Sequence, residues 1–298
     1  MSWYTFIGAL EQGFVFGLMS LGVYLTFRVL DFPDLSVDGT LPLGAAVSAA
    51  IISGGGDPFL SVLAAFAAGL AAGAFTGIIS TKLRILNLLA GILTMIALYS
   101  INIRIMGAPN LTLLNLPTVF DRFHGLGLPR FAVPMVVSLI VVAILKIALD
   151  LFLHTRFGLA VRATGDNPGM VESQGVNTHN AIIAGVALSN GLVALSGALL
   201  AQSQGSADVG MGVGTIIAGL ASVIIGEAFV GERSVAVATL GVILGSVVYR
   251  LAIAMALSFR FGSLSLTPSD LNLITAALVI VALTVPKIRL GLKSRAIR

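Results

Sequence analysis

The sequence predicts an all-α membrane protein of about nine transmembrane helices, eight to ten by count, built as an inverted repeat with two short, broken helices. Three observations carry this prediction. The 298 residues are 57% hydrophobic and only 10% charged, with mean hydropathy +1.03, whereas an ordinary soluble domain is about 25% charged. Long apolar runs recur from end to end, and about 20 helical residues at 1.5 Å rise cross a hydrocarbon core of roughly 30 Å. The 34 glycines suit helices that must approach closely in lipid, where no hydrophobic drive acts between them.

The hydrophobic segments fall at 7–27, 39–54, 58–81, 85–106, 132–153, 180–202, 212–230, 234–256 and 269–286. The opening MSWYTFIGALEQGF has no basic n-region, so the first segment reads as a retained helix rather than a cleaved signal peptide. The second, entered through DLSVDGTLPLG, and the seventh, entered through SADVGMGVG, are short and glycine-interrupted, and need not span fully. In the third, Gly69, Gly73 and Gly77 form a doubled GxxxG, and the eighth carries Gly241 and Gly245, spacings for close helix packing. The fourth, LNLLAGILTMIAL at 86–98, matches the ninth, LNLITAALVIVAL at 271–283.

Four segments thus match four in order, with the fifth left between them. The halves are about 7–106 and 180–286, with a linking helix at 132–153 and a polar loop at 154–179 in one transmembrane domain. Matching elements five helices apart point in opposite directions through the membrane. Inverted repeats with broken helices near the pathway are a transporter architecture. Apolar helices resemble one another by composition, so the weight rests on the order of all four elements.

Orientation follows the lysines and arginines, which stay cytoplasmic in short loops. With the 154–179 loop inside, Arg28, Lys82, Arg84, Arg156, Arg162, Arg233, Lys287, Arg289, Lys293, Arg295 and Arg298 are inside. Arg104, Arg122, Arg130 and Arg260 fall outside. The N-terminus is then extracytoplasmic, the tail cytoplasmic, and the long 107–131 loop outside. The net charge of +4 reflects these basic flanks and does not call for a nucleic-acid partner.

Several chemistries are excluded or unsupported. The absence of cysteine removes disulfides, thiol catalysis and thiolate metal sites. GLKS at 291–294 lacks the spacing of a phosphate-binding loop, so ATP would have to be bound elsewhere. His124, His154 and His179 show no metal-ligand spacing. No enzyme chemistry, cofactor or metal is expected of this chain.

The polar stretch RFGLAVRATGDNPGMVESQGVNTHN at 156–180 stands out. Asn167-Pro168 is a helix start, with asparagine as cap and proline in first position, and Gly175 is a left-handed stop. A helix of about two turns, Pro168 to Gln174, follows. Two turns are marginal in water, so the helix makes sense as a docking element with Met170 and Val171 offered for contact. A loop that merely caps itself is the plain alternative.

This stretch resembles the cytoplasmic loop of the permeases of type II ABC importers in the branched-chain amino acid and sugar group, roughly G-x-x-x-R-A-x-G-x-N-x-x-x-A-x-x-x-G-I/V. It matches at Gly158, Arg162, Ala163, Gly165, Asn167, Gly175 and Val176, and departs at the alanine that follows the asparagine in the family pattern. DLSVDGTLPLGAAVSA resembles the family's N-x-x-x-G-x-x-x-L-G-A segment without its asparagine. GLASVIIGEAFVG at 219–231 resembles its glycine-rich penultimate region. The resemblance runs from about residue 10 to 286 and is nearest to permeases that accompany aromatic amino acid binding proteins.

The resemblance implies a multi-pass permease of the bacterial inner membrane, paired with a second permease copy as a homodimer and surrounded by lipid. It implies cytoplasmic ABC ATPase subunits that bind ATP and magnesium, and an extracytoplasmic substrate-binding protein that delivers a small solute such as an amino acid. The ATPase-coupling interface would comprise Arg156, Gly158, Arg162, Ala163, Gly165, Asp166, Asn167, Pro168, Met170, Glu172 and Gly175. Arg162 and Glu172 would orient the loop by a mutual or intersubunit ion pair, exposed and worth at most about 1 kcal/mol.

Polar residues at membrane depth complete the reading. Lys146 and Asp150 are spaced i,i+4 near the cytoplasmic end of their segment, where lysine snorkels, and Arg250 reads the same way toward the outer end. Glu11 is a single acid near a segment end, and Glu227 is matched with Arg233. Asn87, Asn102, Asn190 and Asn272 read as cross-links between helices. The pathway is sought at the broken segments, near Asp38, Thr40, Asp208 and Thr215, and at Thr94. The competing function is an ion-coupled secondary transporter, which would place a carboxylate or cation cage near the midplane.

Overall fold

The computed structural model describes residues 3–258 other than 127, 128, 130, 232 and 233, together with 260–261, 264–265, 276, 280 and 284. The first helix, α1 (Trp3–Tyr24), continues through a π turn, Leu25–Val29, in which Leu30 N–H donates to Leu25 O at 3.1 Å. Asp31, at φ 50°, then redirects the chain. The short α2 (Val37–Ser53) follows, and α3 (Pro58–Thr81) starts on an Asp57 cap that accepts from the N–H groups of Phe59 and Leu60, with proline in first position. α4 (Asn87–Met106) stops at Gly107, whose φ of 73° suits glycine.

After a long connection come α5 (Val133–His154), two helices of the polar stretch, α6 (Arg156–Asp166) and α7 (Pro168–Ser173), and then α8 (Thr178–Gln204). A 3-10 turn at Val209–Gly212 leads into α9 (Thr215–Val230), and α10 is Val235–Ser258. The only regular ladder between distant parts of the described chain is β1 (Asn110–Thr112) antiparallel to β2 (Ser206–Asp208). This all-α membrane protein has, among the described residues, seven helical stretches long and apolar enough to cross a membrane, with α2 as a shorter apolar helix. Eight predicted segments coincide with these helices within a few residues. The ninth, 269–286, with Asn272 and the basic tail, lies outside the described residues.

α8 is the axis of the bundle, packed on α1, α2 and α3. Its approach to α3 runs along one glycine stripe. A Cβ at Gly69 would come 2.4 Å from Asn190 O, at Gly73 2.4 Å from Val186 O, and at Gly77 2.8 Å from Ile183 Cα. α10 uses Gly245 likewise, 2.0 Å from Ser222 O of α9, and there Gly241 faces Gly226. Against α1, however, the small residues belong to α1: Gly13 meets Val247 and Gly17 meets Ile243. α4 and α5 lie at the periphery, with Leu93, Ile96, Ile144 and Leu151 facing outward.

Several buried hydroxyl and amide groups tie one helix to another. Gln202 Nε2 donates to Ser48 Oγ at 3.0 Å and Ser61 Oγ at 3.2 Å, and its Oε1 accepts from Val119 N at 2.8 Å, which anchors the long connection to α2, α3 and α8. Asn102 Nδ2 donates to Gly39 O, and Asn87 Oδ1 accepts from Ser80.

Candidate functional site

The polar stretch is a built surface rather than a loose loop. Besides the helix expected at Pro168 to Gln174, it holds a second one: α6 is a full helix, begun by Thr155 Oγ1 accepting from Gly158 N at 3.1 Å. Its inward face is made of Gly158, Val161 and Thr164, with Gly165 beside them. Val161 packs with Leu30, Phe32, Ala181 and Val186. A Cβ at Gly158 would come 2.1 Å from Phe152 O, and one at Gly165 2.0 Å from Val29 O. These two glycines, seven residues or about two turns apart, let α6 lie directly on the end of α5 and on the π turn of α1.

α7 begins where Asn167 Oδ1 accepts from Met170 N at 3.0 Å and ends before Gly175, at φ 83°. Val171, read as available for contact, instead turns inward and is 6% exposed, because a two-turn helix needs an apolar anchor of its own. Met170 is 57% exposed, and Arg156, Phe157, Leu159, Ala163, Asp166, Asn167, Pro168 and Glu172 also face out. The outward surface is therefore mixed, apolar and charged. The mutual Arg162–Glu172 pair does not form. Glu172 accepts from Thr178 Oγ1 at 2.5 Å, close in sequence, while Arg162 and Asp166 line a 340 Å3 cleft with Arg28, Glu227 and Ser234. There Arg28 Nε meets Glu227 Oε1 at 2.9 Å, so Glu227 takes a partner from α1; Arg233 lies outside the described residues.

The two short helices start head to head inside the bundle. Asp38, in the first turn of α2, caps α9 across the molecule: its Oδ1 accepts from Ile216 N at 2.8 Å and Thr215 Oγ1 at 3.0 Å, and its Oδ2 from Gly214 N at 3.1 Å. Gly212 packs so closely on Asp38 that a Cβ there would come 2.0 Å from Asp38 O. A second carboxylate, not singled out in the sequence, closes the break before α2. Asp34 is fully buried; its Oδ1 accepts from Ser36 N at 2.8 Å and its Oδ2 from Asn190 Nδ2 at 2.7 Å, while Ser36 Oγ donates to Asn190 Oδ1. Asn190 lies beside the midpoint of α8, so this network sits deep in the bundle. The aspartate-x-serine spacing, which favours such a local turn, was the available signal.

Of the residues sought as a pathway, the structure brings Asp38 and Thr215 together. Thr40 bonds back to Ser36 O within α2, Thr94 pairs with Thr76 between α4 and α3, and Asp208 caps Gly210 and accepts from Asn110 on the β ribbon. Lys146 meets Asp150 at 2.5 Å, and Asp150 also accepts from Thr239 Oγ1 of α10. Lysine is thus held in the bundle rather than extended from it. Arg250 likewise does not reach outward: its guanidinium carbon lies 3.4 Å from the centroid of the Phe16 ring.

Comparison with known proteins places these features in context. The family described as "Branched-chain amino acid transport system / permease component" matches residues 5–284. A tyrosine transport system permease protein of Clostridioides difficile is 40% identical over 287 residues, 96% of this chain and 93% of that protein. The ribose import permease protein RbsC of Escherichia coli is 30% identical over 218 residues, 73% of this chain and 67% of the relative. A probable branched-chain amino acid transport permease protein, LivH, of Methanocaldococcus jannaschii is 27% identical over 207 residues, 66% and 65%. No solved structure matches.

Proposed function

The chain belongs to the family of permease components of branched-chain amino acid transport systems, and from that premise we propose that it carries an amino acid through a pathway at its broken helices. As a permease of the ABC importer family it is a transport subunit embedded in the membrane. The amino-acid cargo is supported by the tyrosine transport permease, which matches nearly the whole chain.

The partners follow from the same reading: cytoplasmic ATPases that bind ATP and magnesium, an extracytoplasmic binding protein, and a second copy of the permease. The coupling surface is α6–α7, with Arg156, Met170 and their outward neighbours meeting the ATPase, while Gly158, Gly165 and Val171 seat the surface on the bundle. That end is cytoplasmic, with the N-terminus outside, in accord with the distribution of lysine and arginine. The observation that carries this is the construction of α6–α7: two self-capped helices fixed to α1, α5 and α8, presenting exposed apolar and charged groups at one end of the bundle.

An inverted repeat is supported by the packing. Exchanging α1, α2 and α3 for α8, α9 and α10 leaves the pattern unchanged: α3 packs on α8 as α10 packs on α1, and α2 on α8 as α9 on α1. The ion-coupled alternative gains no support, since Asp34 and Asp38 are each engaged by donors of the chain itself.

The test is co-purification. Replacing Asn167–Gly175 with a glycine-serine linker of equal length is expected to abolish recovery of the ATPase with a still folded permease; undiminished recovery overturns the coupling role. Amino-acid-stimulated ATP hydrolysis by the reconstituted complex tests the cargo, and the absence of stimulation by any amino acid overturns it.

A further inference from the structure

Between α1, α8, α9 and α10 lies a second polar feature, apart from the coupling surface and bordering the capped break before α9. A cavity of about 300 Å3 is lined by Phe16, Gln204, Met211, Thr215, Tyr249 and Arg250, among others. It is of the size of small-ligand sites. Its walls are largely apolar, and no carboxylate lines it among the described residues. The nearby acids are engaged elsewhere: Asp38 with Gly214, Thr215 and Ile216, and Glu11 with Ser203.

Arg250 dominates the chemistry of this cavity. Gly13 and Gly17 of α1 abut Val247 and Ile243 of α10, so Phe16 is level with the middle of α10, and the guanidinium stacked on it lies within the bundle. An arginine at membrane depth is costly and is retained for a purpose. The Phe16 ring satisfies its face but none of its donors, and Nε is buried with no hydrogen-bond partner. No acid pairs with it among the described residues. Stacking fixes the plane of the guanidinium, and a fixed Nε–Nη edge is the fork that holds a carboxylate by two parallel bonds.

We propose that Arg250, oriented by Phe16, forms a subsite for the α-carboxylate of an amino acid in this cavity, with Thr215 and Gln204 beside it and the apolar wall taking the side chain. This rests on the amino-acid cargo proposed above. The site discriminates by the negative charge, so an amine without a carboxylate is excluded by charge repulsion as well as by the lost fork.

The test uses the reconstituted permease–ATPase complex with its binding protein, and reads the number of amino acid molecules imported per ATP hydrolysed. Arg250→Gln is expected to lower that ratio at least tenfold, Arg250→Lys to lower it less, and Phe16→Leu, which keeps the charge but not its orientation, to fall between wild type and Arg250→Gln. A folding defect would depress uptake and hydrolysis together and leave the ratio unchanged. In parallel, millimolar phenylalanine is expected to raise the melting temperature of the detergent-solubilised complex without binding protein, and phenylalaninamide is not; Arg250→Gln should abolish the difference. An unchanged ratio in an Arg250→Gln complex that hydrolyses ATP at the wild-type rate, or equal stabilisation of the wild-type complex by acid and amide, overturns the subsite. Stabilisation by the acid alone in a complex that imports no amino acid would keep the subsite and overturn the transport reading.

Discussion

The two helix breaks use the same device, an aspartate at the start of a short helix, to different ends. Before α2, Asp34, Ser36 and Asn190 are all fully buried, and the carboxylate takes donors from its own turn and from α8. Gly91 of α4 makes room, lying so near that a Cβ would come 2.6 Å from Leu35 N. Before α9, the carboxylate comes from the opposite break, Asp38 is half-buried, and Val213 is 74% exposed beside the cap. One break is sealed and the other is open to the Arg250 cavity. An irregular backbone is tolerated at membrane depth only where protein buries it or a cavity wets it, and this chain uses both solutions, one in each half.

The comparison yields graded predictions. Asn190→Leu strips Asp34 and Ser36 of their shared partner in a sealed environment and is expected to cost about 3 kcal/mol, read as a large fall in melting temperature of the detergent-solubilised protein. Asp38→Ala removes an N-terminal cap from a half-exposed site and is expected to cost about 1–2 kcal/mol, with hydrogen exchange rising at 209–217 while 34–37 stays protected. Thr215→Val deletes one hydroxyl of that cap, for about 1 kcal/mol. The smallest effect belongs to Arg122→Ala, which breaks a surface pair with Asp57 at 2.6 Å; a loss below about 1 kcal/mol that vanishes in high salt is expected. If Asp38→Ala proves more damaging than Asn190→Leu, the assignment of sealed and open breaks is wrong.

The apolar helices were legible because hydropathy alone selects them, and the break positions because glycine, proline and aspartate cluster there. What closes the breaks was not legible: Asn190 is far from Asp34 in the chain, and Thr215 farther still from Asp38, so local spacing carries no trace of the pairing. α6 escaped notice for a different reason. Its seat is formed by Gly158, Val161 and Gly165, and two glycines in eleven residues weigh against a helix by propensity, while only the fold shows them as the points of closest approach to Phe152 and Val29. For Arg250, proximity to a helix end favoured an outward reach, and only the fold reveals Phe16 as the nearer host. The capping sequence Asn167-Pro168…Gly175 was readable because both its signals are local.

The π turn at the foot of α1 has a mechanical consequence. It holds one residue more than an α turn of the same rise, and Gly165 rests on its last carbonyl while Arg28, within it, grips Glu227 at the end of α9. Rewinding that surplus residue would swing everything beyond it by about 100°, tilting the platform under α6 and dragging on α9 in one stroke. The pitch of a single helical turn is thus geared both to the protein's polar end and to one of its two short helices.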